Sequence, residues 1–411
     1  MNTRKLALLL TALPSTVLAL GFRVTDHGAE ATARGGAFVA TADNPSAVYH
    51  NPAGITQLSG TEILLNGYAI TLENTVNSSV PGGLDVDSTY RWQEVPDSFT
   101  TYHPKDSRFA LGLGVYAPFG FANEFPDNAP FRTLGIKGRI QFFTANPVLA
   151  FKVTDSLSVA AGITLNYSRA KLTRGIVTPG DEFHIEGEGF AVGVTAGMFW
   201  QPTPQHAFGI QYFGPIDMTY HGHARTRIPK FTTQVEVAPG VVLPIKVDKV
   251  DNEEDADLSI QFPQTITLGY SFRPTPDWNF EFDIEWTDWD NLNTPTIHLS
   301  ENADTPLVFN YESSFLYEFG VTKKFGSNWR ASAGYIYSEN SVPNESFNPL
   351  VADSNRHVLS AGIGQNYEHW NWYLAYQYAY GPHRRIDQQT VADGTYRFQS
   401  HAISLSLGYS Y

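Results

Sequence analysis

The chain has 411 residues, 42% hydrophobic and 17% charged, so apolar surface is plentiful and charge is too sparse for disorder. Lys and Arg total 27 against 41 Asp and Glu, a formal charge of −14 that excludes an electrostatic nucleic-acid binder. The lack of cysteine removes disulfides, thiolate metal sites, iron–sulfur clusters and a cysteine nucleophile in one step.

At the amino terminus Arg4 and Lys5 precede an apolar run, Leu6 to Leu20, interrupted by Pro14. A basic start, a short apolar run and small residues beyond it predict a secretory signal peptide over 1–20, cut after Ala19 or Gly21. The run is shorter than the roughly 20 residues of a helical span, and no later stretch of about 18 apolar residues appears.

Residues 21–60 show no alternation. Small apolar residues, Gly35 to Ala42, lead into Asp43-Asn44-Pro45 and Asn51-Pro52-Ala53-Gly54. Small side chains permit close backbone approach, and Asn-Pro pairs start turns. This stretch is predicted to pack inside whatever follows, as a plug over 21–60 ahead of a barrel over 61–411.

From residue 61 the chain alternates with period two, the signature of strands with one apolar face. Leu157, Val159, Ala161, Ile163, Leu165 and Tyr167 oppose Ser158, Ala160, Gly162, Thr164, Asn166 and Ser168; Phe190 to Trp200 and Ile266 to Phe272 repeat the pattern. Fourteen strands are predicted, near 61–75, 88–104, 107–118, 136–153, 156–172, 183–201, 205–221, 257–273, 277–293, 308–324, 327–341, 354–367, 370–382 and 394–411. Their connections alternate between short (such as 154–156 and 201–205) and long (such as 118–135 and 222–256). Short turns at one end and long loops at the other are the plan of an outer-membrane barrel, and an even strand number puts both termini on one side. Only a closed barrel satisfies every strand's backbone in lipid. The expected fold class is therefore all-β: a transmembrane antiparallel β-barrel of about fourteen strands in the outer membrane of a Gram-negative-type envelope. The last strand, with Ile403, Leu405, Leu407 and Tyr409, ends on Tyr411; a terminal aromatic of this kind is read by the barrel-assembly machinery, an expected partner alongside outer-membrane lipid and lipopolysaccharide.

Several polar groups receive plain readings. His221 and His223 lack a third ligand at sensible spacing and are expected at a loop surface. Residues 248–255 carry acidic side chains without the EF-hand spacing and are expected to be a solvated loop. Glu281, Asp283 and Glu285 share one strand face, where arginines from neighbouring strands are expected to pair with them. No nucleotide-binding loop or Gly-x-Ser-x-Gly elbow occurs, and neither a cofactor nor an enzymatic activity is predicted.

The segment Gly21–Leu58, with Ala33-Arg34-Gly35, Ala42-Asp43-Asn44 and Asn51-Pro52-Ala53, resembles the N-terminal hatch of the FadL/TodX family of outer-membrane transporters for long-chain fatty acids and aromatic hydrocarbons. Further similarities are Tyr116-Ala117-Pro118-Phe119-Gly120, Tyr167 to Lys171, Trp286-Thr287-Asp288-Trp289, Val342-Pro343-Asn344, and Asp353 to Arg356. The resemblance implies a plugged fourteen-stranded barrel for passive uptake of hydrophobic molecules, caught at outer loops, held in an apolar pocket above the hatch and released sideways into the bilayer. It assigns the hatch to Arg34, Gly35, Asn51, Pro52 and Ala53, a lateral gate to a kink at Pro118, Gly120 and Ala122, and carboxylate contact to Arg174, with Phe119, Phe121 and Phe125 as apolar lining. Gly175 departs from the aromatic expected beside that arginine. An aromatic-hydrocarbon channel, a general porin and an outer-membrane hydrolase are the rival readings.

Overall fold

A computed structural model describes residues 22–411 apart from 90–91, 239–240 and 293, so the predicted signal peptide lies outside the described residues. Fourteen staves wind around one lumen: β1 (Gly60–Ser78), β2 (Trp92–His103), β3 (Phe109–Tyr116), β4 (Lys137–Lys152), β5 (Leu157–Arg174), β6 (Glu182–Thr203), β7 (His206–Phe213, continued by Ile216–Ile228), β8 (Val250–Phe262, continued by Thr265–Thr275), β9 (Trp278–Thr287), β10 (Ser314–Phe325), β11 (Trp329–Ser338), β12 (Arg356–Asn366), β13 (Trp370–Ile386) and β14 (Gly394–Ser410). Neighbours pair antiparallel. β14 closes the ring on β1, from Glu62↔Ser410 to Ser78↔Gly394. The predicted strand number and closed architecture hold.

The period-two faces land as the sequence dictates. Val159, Ile163, Leu165 and Tyr167 of β5 point outward and are exposed, while Ser158, Thr164, Asn166 and Ser168 are buried in the lumen. Phe190, Val192, Val194 and Trp200 do the same on β6. Two aromatic belts edge this apolar band. One, near the short turns, contains Trp200–Phe208, Trp278–Phe280 and Trp370–Tyr409 ring contacts. The other contains Tyr317–Tyr337, His357–Tyr380 and Tyr378–His401. Such girdles mark the two membrane interfaces.

β6 is 22 residues long. At about 3.3 Å per residue and a typical tilt it rises well past an apolar band of roughly 25 Å, so the wall continues above the membrane. This corrects the reading of 222–256 as a loop. β7 runs to Ile228, β8 begins at Val250, and Phe231–Ala238 pairs with Val241–Val247 in a hairpin beyond them. His221 and His223 are consequently on a strand, their rings turned to carboxylates of Asp257 at 2.7 Å and Glu186 at 3.4 Å. The acidic run is likewise the start of β8, with Asp251 paired to Arg225 at 2.8 Å. Pro215 and Pro263 break β7 and β8 at one level, because neither supplies a ladder N–H.

Residues 22–58 are almost wholly buried inside the ring, folded into α1 (Ala29–Ala33), α2 (Ala47–His50) and a 3₁₀ turn, Pro52–Gln57, which Asn51 caps through the Ala53 N–H at 3.2 Å. Their grip on the wall is polar. Glu281 accepts from Ala40 N at 2.7 Å and from Arg34 at 2.8 Å, and Asp283 Oδ2 accepts from Phe38 N and Val39 N, both at 2.9 Å. Arg23 forks onto Glu285 at 2.7 and 2.6 Å. The three β9 carboxylates are thus lumenal, but the arginines paired with them, Arg34 and Arg23, come from the N-terminal segment and not from adjacent strands, which add only the Thr267 hydroxyl on Glu285 at 3.2 Å. Lumen carboxylates of adjacent staves would only repel one another, whereas the inner segment offers free N–H groups and two arginines. Contact is closest at Gly35 (φ +63°) and Gly334 of β11, where a Cβ on Gly334 would stand 2.1 Å from Gly35 N.

Candidate binding cavity and wall gap

Above the inner segment lies a cavity of ≈ 390 Å³. Phe22 and Phe121 form its floor. Ile140 of β4, Leu172 of β5, Ile185 of β6, Tyr220 of β7, and Leu258 and Ile260 of β8 form its walls. Thr133 and Leu134, Leu307 and Phe309, and Phe347, Leu350 and Val351 reach over it from three outer loops. The volume falls in the range of small-molecule sites, and the lining is mostly apolar with a few polar groups.

Arg174, the last residue of β5, lines this cavity. Its guanidinium stands 5.0 Å from the Phe183 ring centroid, and no carboxylate lies within ion-pair reach among the described residues. A half-buried charged group thus stands in mostly apolar surroundings without a counter-ion among the described residues.

A second feature is a break in the wall. β3 pairs with β2 only from Ser98↔Val115 to Tyr102↔Leu111, so Trp92–Asp97 has no ladder partner on that side among the described residues. Towards β4, Tyr116↔Thr144 is followed by Phe121↔Ile140, so four residues, 117–120, stand opposite three, 141–143. The extra residue turns the strand into the lumen. There it pairs with the inner segment: Val24 N donates to Pro118 O at 2.9 Å and Gly120 N to Phe22 O at 2.8 Å, with Arg23 opposite Phe119. Beyond the bend the Ala122 carbonyl accepts from Gln93 Nε2 at 3.1 Å, which bridges the gap through a side chain.

The sequence-assigned residues are placed as follows. Arg174 and Phe121 line the cavity. Phe119 packs below it on Phe262 at 4.8 Å and Phe142 at 5.4 Å, and Phe125 packs edge-on to Phe131 at 4.9 Å. Pro118, Gly120 and Ala122 all lie at the wall break. Arg34 and Gly35 meet β9 and β11, Asn51 donates to Met198 O of β6 at 2.9 Å, and Pro52 and Ala53 are buried in the lumen.

Tyr220, Leu258 and Ile260 were not anticipated, yet they carried a signal. Above the apolar band the faces exchange polarity: Ile185, Tyr220 and Leu258 point inward while Glu188, His221 and Asp257 point outward. The loop residues gave none, because irregular segments have no period.

The sequence profile of outer membrane protein transport proteins (OMPP1/FadL/TodX) matches residues 10–411. The long-chain fatty acid transport protein of Escherichia coli O6:H1 is 21% identical over 358 residues, covering 79% of this chain and 78% of that protein. Outer membrane protein P1 of Haemophilus influenzae is 18% identical over 90% of this chain and 91% of its own. Among solved structures, a Pseudomonas aeruginosa FadL homologue superposes with a TM-score of 0.80 at 18% identity, over 95% of this chain and 99% of that one. The Pseudomonas putida toluene transporter TodX gives 0.74 at 15%, over 96% and 100%.

Proposed function

Since the chain belongs to the OMPP1/FadL/TodX family of outer-membrane transport proteins, a family of channels and not of enzymes, we propose that it admits hydrophobic molecules bearing an acidic head, long-chain fatty acids or similar lipophiles, by passive uptake. The observation that carries this reading is Arg174: an uncompensated guanidinium in an apolar cavity suits a carboxylate whose chain lies along the Phe121, Leu258 and Ile260 walls. Each CH₂ leaving water contributes about 0.8 kcal/mol, so a long chain is held by the walls and oriented by the arginine. A neutral aromatic hydrocarbon would need the walls alone and would leave Arg174 idle.

The buried N-terminal segment, 22–58, stoppers the lumen and speaks against an open porin. The solute is caught by the outer loops, rests in the cavity and leaves sideways between β2 and β3, where the ladder is broken, into lipid. This route avoids returning an apolar chain to water and needs no coupled ATP or ion. The outward charges above the apolar band, such as Arg169 and Lys171, face lipopolysaccharide head groups, and the barrel-assembly machinery inserts the barrel into the outer membrane.

A structure of the protein with laurate tests the site: density between Phe22 and Arg174 is expected, and laurate bound elsewhere overturns it. Replacing Gly120 with tryptophan should slow labelled laurate uptake into cells while the folded barrel persists. Unchanged uptake would remove the sideways exit, and large steady ion currents from the intact chain would favour a porin.

A further inference from the structure

The rim of the cavity contains a knot centred on a second arginine. Arg132, in the loop between β3 and β4, is buried and its guanidinium makes four hydrogen bonds: Nε to Asp127 O, Nη2 to Asp127 Oδ1, Nη1 to Asp181 Oδ1, each at 2.8 Å, and Nη2 to Asp181 O at 2.9 Å. Asp181 also accepts from the N–H groups of Ile176, Val177 and Thr178 at 2.6–2.8 Å, and Gly180 N donates to Asp127 Oδ2 at 2.7 Å. Two outer loops are thereby tied together. One carries Thr133 and Leu134 into the cavity, and the other starts directly after Arg174.

The tie reaches Arg174 through one residue. Gly175 N donates to Arg132 O at 2.8 Å, and a Cβ on Gly175 would lie 2.2 Å from Arg132 Cζ. The guanidinium therefore occupies the space a side chain would take at 175, which explains why glycine stands there. Asp127 and Asp181 are both consumed by Arg132, so neither is left as a bare carboxylate beside the cation of the cavity.

We propose that Arg132 is a positioning residue that makes the cavity selective for anionic head groups. It fixes the backbone at 174–175, which aims Arg174 inward, and it holds Asp127 and Asp181 as its own partners, so that neither turns to pair with the Arg174 guanidinium. This rests on the reading of Arg174 as the carboxylate contact. The walls hold the chain; Arg132 determines that the head is charged.

The measurement is the affinity of purified protein in nanodiscs for laurate and for dodecanol, which share a chain and differ in charge. Arg132→Ala should lower laurate affinity on the order of tenfold, the worth of one charge-assisted hydrogen bond, and change dodecanol affinity less than about twofold. Gly175→Leu keeps every charge but displaces the guanidinium, and should give the same carboxylate-selective loss. In the double variant Arg132→Ala/Arg174→Ala the laurate loss should not exceed that of Arg174→Ala alone, since both act through one contact. Heat-modifiable electrophoretic mobility reports whether each barrel is folded. Equal losses for laurate and dodecanol, or none in folded Arg132→Ala and Gly175→Leu, would overturn the role given to Arg132. Laurate binding indifferent to Arg174→Ala would instead remove the reading of Arg174, so the two failures are distinct.

Discussion

The backbone N–H of Gly120 donates to the carbonyl of Phe22 at 2.8 Å, which joins a residue of the barrel wall to the first described residue of the inner segment. With Val24 N to Pro118 O at 2.9 Å it forms a two-rung ladder inside the lumen, at the height where β3 has left its place beside β2. The wall break and the inner segment are one structural unit. Backbone groups that the bend withdraws from the sheet are satisfied by the segment, as burial demands.

Loosening this stitch should affect passage. Val24→Pro deletes the donor to Pro118 and removes about 1 kcal/mol of net hydrogen bonding. Transfer of labelled laurate from the cavity to vesicle lipid should become severalfold faster, with no rise in ion conductance. Transfer at the original rate would show that the stitch does not limit exit.

The polar grip on β9 should decide whether the inner segment stays in place. Arg34→Ala leaves Glu281 buried with its guanidinium partner gone, and breaking a buried ion pair from one side costs about 3–5 kcal/mol. Planar-bilayer recordings should then show intermittent openings that the parent lacks. The charge-conserving Arg34→Lys should restore part of the block. Silent recordings from both variants would place the restraint elsewhere.

Outward positions should respond to charge according to their height in the wall. Val194, 51% exposed on the outer face of β6, meets lipid, so Val194→Arg should cost roughly 2–4 kcal/mol near the midplane. Reversible urea unfolding in lipid vesicles gives the number. At Arg397, an outward residue on the upper part of β14, Arg397→Lys should change stability by less than about 0.5 kcal/mol, because this level faces water and head groups.

The rim knot should withstand mild acid. Burial alone would raise the Asp181 pKa, but hydrogen bonds from Ile176, Thr178, Val177 and Arg132 outweigh it and hold the group below its ordinary value of 3.8. A carboxylate with a depressed folded pKa stabilises the fold above its unfolded pKa, and that contribution is lost as pH falls through the folded value. Hydrogen-exchange protection of the Ile176, Val177 and Thr178 amides should therefore be flat from about pH 7 to pH 5 and decline only below 3.8. Protection already falling near pH 6 would mean that another group, such as half-buried His184, governs the rim.

Much of this molecule is written in alternation. Because lipid and lumen differ in polarity on either side of a strand one residue thick, the period-two pattern of β5, β6, β9 and β14 fixed strand identity, facing and number, and the short and long connections fixed which end lies outside. The exchange of faces above the membrane was also written in β7 and β8, at Tyr220 and Leu258, but reads as a loop when apolar-outward is taken as the rule. What the sequence could not hold is the pairing of distant segments. That Glu281, Asp283 and Glu285 meet Arg34, the Phe38–Thr41 backbone and Arg23, that Phe22 meets Gly120, and that Arg132 fills the place of a side chain at Gly175, depends on closure of the ring. Closure brings residues 43 to 262 positions apart within hydrogen-bond reach, and each polar group then takes the partner that burial leaves it.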